Sequence, residues 1–222
     1  MMMVGVLLAA GASTRMGRPK ALAEANGGSF IACGIRTLWK VCDRVIVVLG
    51  ADAPRIRART ERELVNLVGT GRWVHELAAA HRTGHFEVHF VVNRSWRRGM
   101  FSSVREGLRT ALRARPAAVL VAPVDHPAVR PGTVADLAHV LLDALAACRT
   151  PATRARFSYA LVPRHRGRRG HPVALSPALT RAVATDAAAA DLSDAIRRHA
   201  RLVGYLDVSD PGVVRNRNTP AD

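Results

Sequence analysis

The segment of the sequence that decides the fold is Val4-Gly-Val-Leu-Leu-Ala-Ala-Gly-Ala-Ser-Thr-Arg-Met-Gly-Arg-Pro-Lys20. It begins as a short, continuous apolar run and turns at Gly11 into a polar loop. An apolar run of this length suits a strand that is buried on both faces of a sheet. Glycines in the loop let the backbone approach an anion, and exposed N–H groups there can hold phosphate oxygens. The segment therefore predicts a buried first strand followed by an anion-binding loop.

Strand-like and helix-like patterns alternate along the rest of the chain. The predicted strands cover residues 44–49, 86–92, 117–122, 157–162, 173–175 and 202–208, and the predicted helices cover 29–41, 102–114, 133–147, 177–185 and 192–199. This alternation indicates right-handed βαβ units in a single α/β domain, residues 1–222, with a three-layer, Rossmann-like, mostly parallel sheet flanked by helices. Ligands bind beyond the carboxyl ends of the strands in such sheets, so we expect the site in the residues that follow each strand. The charged stretch 54–84 also has helical character, and no function follows from it.

The net charge of +16 favours an anionic partner, but its origin weakens that inference. Lys20 and Lys40 are the only lysines, so arginine supplies 31 of the 33 basic residues, and these are spread along the chain. A nucleic-acid-binding protein would cluster its basic residues among aromatic ones, and aromatic residues make up only 5% here. We therefore expect no specific nucleic-acid partner, and such binding is the alternative from another functional class.

Three observations bear on where the protein works. The cysteines, Cys33, Cys42 and Cys148, form no C-x-x-C pair, which favours a reducing compartment. The apolar start lacks the basic residues of a signal peptide and continues directly into the glycine loop. No apolar run approaches the ~20 residues that are needed to span a bilayer. We expect a cytoplasmic protein without a membrane partner.

The loop after the first predicted strand carries the most specific pattern in the chain. It matches neither of the two common phosphate-loop patterns, G-x-x-x-x-G-K-[ST] and G-x-G-x-x-G. Lys20 stands out because lysine is so rare here, and a compact ammonium group suits phosphate binding. The full text L-A-A-G-x-S-x-R-M-G-x-P-K resembles the signature of the MobA-like nucleotidyltransferases, which include the molybdenum cofactor cytidylyltransferases. The resemblance implies the nucleotide-diphospho-sugar transferase-like form of the α/β fold.

Three further segments that follow predicted strands resemble segments of the same family. Asn93-Arg-Ser-Trp-Arg-Arg-Gly-Met-Phe-Ser-Ser103 is similar to N-x-x-W-x-x-G-M-x-S-S, which contacts the base and ribose, and one of its two serines is also a candidate helix N-cap. Val121-Ala-Pro-Val-Asp-His-Pro127 resembles an apolar run that ends in D-x-P, and an aspartate at a strand end beside phosphates suits Mg²⁺. Arg168-Arg-Gly-His-Pro-Val173 resembles the family's G-H-P loop, which lies near the acceptor substrate.

The terminal segment Asn216-Arg-Asn-Thr-Pro-Ala-Asp222 resembles the family endings D-x-D-T-P-x-D and N-x-N-T-P-x-D. An asparagine carbonyl oxygen can ligate Mg²⁺ without bringing charge, so the resemblance implies Asn218 as a second metal ligand. The asparagine form is usual in guanylyltransferases, whereas Ala9 and Ala10 before Gly11 resemble the cytidylyl branch. Both nucleotides therefore stay open, and a relative that binds nucleotide without turnover is a further alternative.

The resemblance implies an Mg²⁺-dependent enzyme that moves a nucleoside monophosphate from an NTP, with CTP favoured, to a phosphorylated acceptor and releases pyrophosphate. Molybdopterin is the expected acceptor, and a sugar phosphate is the alternative. Mn²⁺ is the expected substitute for Mg²⁺. Molybdoenzyme maturation proteins are the expected protein partners. Catalytic roles fall to Arg15, Lys20 and Asp125, with Asp125 and Asn218 as metal ligands. The expected nucleotide contacts are Leu8, Ala9, Ala10, Gly11, Ala12, Ser13, Gly17, Asn93, Gly99, Ser102 and Ser103, and the expected acceptor contacts are Gly170, His171 and Pro172.

Overall fold

The computed structural model describes residues 1–13, 19–25, 27–69 and 87–217, with residues 68 and 69 described by their backbone alone. Three of the predicted site residues, Arg15, Gly17 and Asn218, lie outside the described residues.

The described chain alternates strands and helices, as the sequence predicts. The strands are β1 (Met3–Ala9), β2 (Glu24–Ala25), β3 (Gly28–Ser29), β4 (Arg44–Leu49), β5 (Glu87–Val92), β6 (Ala118–Pro123), β7 (Tyr159–His165), β8 (Arg168–Arg169), β9 (Val173–Leu175) and β10 (Leu202–Asp207). The helices are α1 (Phe30–Trp39), α2 (Ala53–Gly69), α3 (Met100–Leu112), α4 (Pro131–Ala146), α5 (Pro151–Arg156), α6 (Pro177–Thr185) and α7 (Leu192–His199). Short 3-10 helices cover Lys20–Leu22, Trp96–Arg98 and Pro211–Val214.

The strands form one mixed sheet in the order β10-β7-β9-β6-β1-β4-β5, with β8 paired to β7 and a separate β2–β3 hairpin. Four of the strand pairs are parallel: β1 with β4, β1 with β6, β4 with β5, and β7 with β10. The strand β9 lies antiparallel between β6 and β7. Its direction follows from the short connection after β7, because a parallel crossover needs a dozen or more residues. The prediction of a mostly parallel sheet flanked by helices is confirmed.

The first strand explains why its sequence is apolar at every position. All seven residues of β1 are buried. Met3, Leu7 and Ala9 pack into a cluster with α1 and α4, whereas Val4, Val6 and Leu8 pack into a second cluster with α3, α6 and α7. Since successive side chains point to opposite faces, the strand supplies both helical layers at once. This is the three-layer arrangement, and it brings the carboxyl ends of β1 and β6 together at one edge.

The observed elements differ from the predicted ones in a few places. The helix α3 begins at Met100, and its N-cap is Gly99, which has a φ of 97° and makes no side-chain cap hydrogen bond. Ser102 and Ser103 therefore lie inside the first turn, and the interpretation of either serine as the cap is wrong. The hairpin β2–β3 and the helix α5 have no counterpart among the predicted elements. The sequence does carry a signal for α5, because Thr150 and Thr153 form a capping box around Pro151.

Candidate active site

A cleft of ≈ 390 Å³ lies beyond the carboxyl ends of β1 and β6. Its walls come from residues 8–13, 20–21, 96–97, 99–100, 103 and 123–125. Three of the segments that the sequence singles out, the loop after β1, the segment after β5 and the segment after β6, thus meet at one place. The cleft lies where parallel α/β sheets bind their ligands.

The described ends of the loop after β1, at Ser13 and Lys20, lie together at the cleft. Ser13 has a φ of 55°, which lies in the left-handed region that side chains rarely adopt. Its Oγ accepts a hydrogen bond of 2.7 Å from the backbone N–H of Lys20. A Cβ on Gly11 would meet nothing within 4 Å, so the backbone there faces open space. The loop therefore presents its main chain to the cleft, and strain of this kind is typical of binding sites.

Lys20 and Asp125 form the charged centre of the cleft. The Nζ of Lys20 lies 3.4 Å from Oδ2 of Asp125, and each side chain is only 16% exposed. The other carboxylate oxygen, Oδ1, lies 3.0 Å from Nδ1 of His126. Burial by itself raises the pKa of Asp125, but the hydrogen bond from His126 and the charges of His126 and Lys20 outweigh it and lower that pKa. Asp125 is therefore an ionised carboxylate at neutral pH.

A second histidine, His171, packs against His126. The ring of His171 meets the ring of His126 edge-on, with 5.1 Å between their centroids. Burial of the ring, and then the charge of His126, lower the pKa of His171 to about 4. Its Nδ1 atom is buried and has no hydrogen-bond partner among the described residues. His171 is therefore neutral at pH 7.

The segment after β5 is organised by Asn93. This side chain is only 4% exposed and does not line the cleft. Its Nδ2 donates hydrogen bonds of 2.8 Å to Oγ of Ser102 and 2.9 Å to Oγ of Ser103, and its Oδ1 accepts from the backbone N–H of Ser95. Of the four residues predicted here, Gly99 and Ser103 line the cleft, whereas Asn93 and Ser102 do not. Asn93 therefore holds this segment in place through its hydrogen bonds and does not itself line the cleft.

Six residues that line the cleft are absent from the predicted site residues: Ala21, Trp96, Arg97, Met100, Pro123 and Val124. Trp96, Arg97 and Met100 belong to the segment after β5. The guanidinium group of Arg97 stacks on the ring of Trp96 at 4.6 Å from its centroid. A Cβ at Gly50 would lie 2.7 Å from the Cβ of Trp96, so only glycine there leaves room for the tryptophan. The motif N-x-x-W-x-x-G-M-x-S-S contains Trp96 and Met100, so it is the signal that could have found these two.

The C-terminal segment lies against Asp125, which follows β6. The backbone N–H of Arg217 donates a hydrogen bond of 2.8 Å to the carbonyl oxygen of Asp125. The backbone N–H of His171 donates one of 2.9 Å to the carbonyl oxygen of Val213. Asn216 is exposed at this point. The terminal segment and the G-H-P loop therefore both lie close to the carboxyl end of β6.

A second cavity of ≈ 340 Å³ adjoins the cleft and shares Leu8, Met100 and Pro123 with it. Gly170 and His171 line this second cavity, whereas Pro172 lines neither. The structure thus brings two of the three predicted acceptor residues next to the predicted nucleotide residues.

The described part of the cleft can hold a metal only through Asp125. No group of three or more His, Cys, Asp or Glu side chains in the described chain could hold an ion. Mg²⁺ prefers one or two carboxylates and takes its remaining ligands from phosphates and water. One ionised carboxylate beside an anion-binding loop fits such an ion.

Comparisons with known proteins agree with this geometry. The model of the MobA-like NTP transferase domain matches residues 5–202. Nicotine blue oxidoreductase of Paenarthrobacter nicotinovorans is 31% identical over 224 residues, which cover 93% of this chain and 87% of that protein.

Two solved structures share the fold. A nucleotidyl transferase from Methanothermobacter thermautotroptrophicus has a TM-score of 0.67 and 22% identity, covering 100% of this chain and 94% of that one. Rv0371C of Mycobacterium tuberculosis, in complex with manganese, has a TM-score of 0.55 and 21% identity, covering 94% and 89%. Within the described residues, no helix has the length and apolar character to cross a membrane.

Proposed function

Because the chain belongs to the MobA-like NTP transferase family, we propose that it transfers a nucleoside monophosphate from an NTP to a phosphorylated acceptor and releases pyrophosphate. The observation that carries the proposal is the Lys20–Asp125 pair, which lies 3.4 Å apart beside the loop after β1. A cation and an ionised carboxylate at the end of a phosphate loop are the groups that a triphosphate and its metal require.

The chemistry needs positioning and charge more than a base. The second pKa of a phosphate monoester is near ~6, so the acceptor phosphate is ionised at neutral pH. One of its oxygens forms a bond to the α-phosphorus, and the bond from the α-phosphorus to the bridging oxygen breaks. Lys20 offsets the negative charge of the phosphates, and backbone N–H groups of the loop bind their oxygens. Arg15 would do the same for the leaving pyrophosphate.

Mg²⁺ is the proposed metal, with Mn²⁺ as its substitute. When bound, the ion supplies charge that stabilises the reacting and leaving phosphates. Asp125 would hold it from the end of β6, and Asn218 is the proposed second ligand. The M. tuberculosis structure in complex with manganese has the same fold and supports this choice.

The finer assignments rest on the family resemblance. We propose CTP as the nucleotide, because Ala9 and Ala10 precede Gly11, with GTP as the alternative that Asn216 and Asn218 favour. Molybdopterin is the proposed acceptor, and a sugar phosphate is its alternative. A cytoplasmic location and contact with molybdoenzyme maturation proteins belong to the same proposal.

Pyrophosphate release tests the proposed function. CTP, GTP, ATP and UTP are each incubated with Mg²⁺ and molybdopterin, and release is expected with CTP. Lys20→Ala and Asp125→Ala should each lower turnover by about 10²-fold or more, the scale of one lost preorganised charge contact. Lys40→Ala is the matched control, because Lys40 is the other lysine and lies exposed after α1. Near-normal release in either cleft variant would contradict the assigned roles.

A second candidate function is the reduction of a dye-like molecule. The 31% identity with nicotine blue oxidoreductase favours it, and a cleft for nucleotides can hold the nucleotide half of NADH or NADPH. Oxidation of these donors in the presence of nicotine blue would be followed by absorbance. Nucleotidyl transfer should stop when EDTA removes the metal, whereas reduction of the dye should continue. Dye reduction that resists EDTA, without pyrophosphate release from any NTP, would favour the second function.

A further inference from the structure

The strand β10 forms one edge of the described sheet, because β7 is the only described strand with which it pairs. The backbone N–H of Leu202 donates to the carbonyl oxygen of Ser158, and that of Val208 donates to the carbonyl oxygen of Arg164. Since bonding residues alternate along each strand of a parallel pair, the even-numbered residues of β10 face β7. The main-chain groups that face away from the sheet belong to the odd-numbered residues, Val203, Tyr205 and Asp207.

This edge lacks the features that usually keep edge strands from pairing. Natural edges are protected by lysine, by proline or by a bulge that twists the strand away. The strand reads Leu202-Val-Gly-Tyr-Leu-Asp207, without lysine or proline, and its six residues pair with β7 in unbroken register. The outer side of β10 is therefore a template for a further strand.

Large apolar side chains are exposed around the same edge. Leu202 is 53% exposed, and Tyr205 is 45% exposed even though the guanidinium group of Arg164 lies over its ring. Val140 of α4 is also exposed and lines a surface cavity together with Leu206. Among the described residues, seven large apolar side chains are exposed, and three of them lie here. Such a concentration of apolar surface is typical of an interface.

The order of residues along β10 is complementary to a second copy of the same strand in the opposite direction. If the two copies lie antiparallel with their Gly204 residues opposite each other, Arg201 lies opposite the partner's Asp207. The pairs between these ends are Val203 with the partner's Tyr205 and Leu202 with the partner's Leu206. Pairs of opposite charge, and pairs of aromatic with β-branched side chains, stabilise antiparallel strands.

The hydrogen bonds select the same register. Val203 and Tyr205 both have outward main-chain groups, so this register joins outward residues to outward residues, as an antiparallel ladder requires. A shift by two residues would keep that match but would place the charged Asp207 opposite the partner's Val203. Charge complementarity therefore favours the register that is centred on Gly204.

We propose that the protein forms a homodimer in which β10 of one copy pairs antiparallel with β10 of the other, so that the two sheets become one. The contact uses the same surface of both copies and closes after two. The nucleotide cleft lies at β1 and β6, which β7 and β9 separate from β10, so the cleft stays open in the dimer. This pairing is independent of the transfer reaction.

Sedimentation equilibrium of the full chain tests the dimer. The expected mass is twice the 23.9 kDa of one chain. A monomeric mass at ~100 µM would overturn the proposal, because specific interfaces of ordinary size have dissociation constants in the micromolar range or below. Species larger than a dimer would indicate an open, head-to-tail contact and would overturn it as well.

A substitution on each edge of the sheet tests the location. Leu202→Lys places a charge opposite an apolar residue of the partner and should raise the dissociation constant of the dimer at least tenfold. Val92→Lys is the matched control, because Val92 is 50% exposed on β5, the other edge strand of the described sheet. It should change the dissociation constant by less than twofold. Equal dissociation constants for the two variants would refute the assignment to β10.

Disulfide formation tests the register. Leu202 and the partner's Leu206 would form a pair without mutual hydrogen bonds, in which the Cα atoms lie about 4.5 Å apart and a disulfide can form. Two copies of residue 202 would lie about 14 Å apart, too far for a disulfide. Chains with Leu202→Cys and chains with Leu206→Cys are therefore mixed and treated with oxidised glutathione. Both also carry Cys148→Ser, because Cys33 and Cys42 are buried and Cys148 is the most accessible native cysteine.

The covalent dimer should form in the mixture at least tenfold faster than in either variant alone. Equal rates in the mixture and in the separate variants would refute the register.

Discussion

Acidification should destabilise the protein through His171. The pKa of this ring is lowered from 6.5 to about 4 in the folded protein, first by burial and then by the charge of His126. Between these two values the unfolded chain binds a proton that the folded chain does not. The stability that comes from neutral His171 is therefore complete above about pH 6.5 and is lost as the pH falls toward about 4.

The magnitude follows from the same two values. A shift of about 2.5 units corresponds to about 3 kcal/mol when the loss is complete. Between pH 7 and pH 5, where the unfolded ring is mostly protonated and the folded ring is mostly neutral, about 2 kcal/mol of this should disappear.

Urea unfolding at pH 7 and pH 5 measures the effect. His171→Gln lacks the titrating ring, and His139→Gln, on the exposed side of α4, is the matched control. The free energy of unfolding of the wild type and of the control should fall by about 2 kcal/mol more than that of His171→Gln. A titration of the wild-type ring by NMR, with an expected midpoint near pH 4, covers the case in which the variant does not fold. An equal pH dependence in all three proteins, or a midpoint near 6.5, would refute the reasoning.

Three further substitutions test the framework of the site. Asp210→Ala should lower the free energy of unfolding by about 3 kcal/mol, because the 2% exposed carboxylate accepts from two backbone N–H groups and a threonine hydroxyl. Urea unfolding measures this, and a loss below about 1 kcal/mol would contradict it. Gly170→Ala should cost about 2 kcal/mol, because the added Cβ would meet the carbonyl oxygen of Val213. Gly132→Ala, whose Cβ meets nothing, should cost nothing in the same assay. Asn93→Ala should raise the KM for the NTP more than it lowers kcat, because Ser103, which lines the cleft, and its neighbour Ser102 lose their hydrogen-bond donor, and an unchanged KM would exclude this role.

Much of the fold could be predicted from the sequence because the buried strands have a simple pattern. The strand β1 is apolar throughout because each of its faces meets a different helical layer. The antiparallel insertion of β9 between β6 and β7 could not be predicted in the same way. The short connection after β7 favours the antiparallel direction, but a strand of three residues does not reveal its neighbours, which are set by packing against the rest of the sheet.

The residues of the site also divide into those whose place could be predicted from the sequence and those whose place could not. Lys20 and Asp125 are 105 positions apart, yet both follow predicted strands, so the rule of strand ends predicts that they meet. The role of Asn93 was harder to predict, because a polar residue after a strand can face the ligand or support its neighbours. Asp210 before Pro211 is a signal for a helix N-cap, and its side chain does accept from the backbone N–H of Gly212. Its other partners, Arg130 and Thr133, could not be predicted, because they lie about 80 residues away and become its neighbours only in the folded chain.

The hydrogen bond between Arg217 and Asp125 can form only late in the synthesis of this chain. The carbonyl oxygen of Asp125 receives its partner from a residue 92 positions later. All of the described strands precede Arg217 in the chain, so the sheet can begin to assemble around β1 before this hydrogen bond exists. The backbone beside Asp125 therefore gains its partner only after residue 217 has been synthesised.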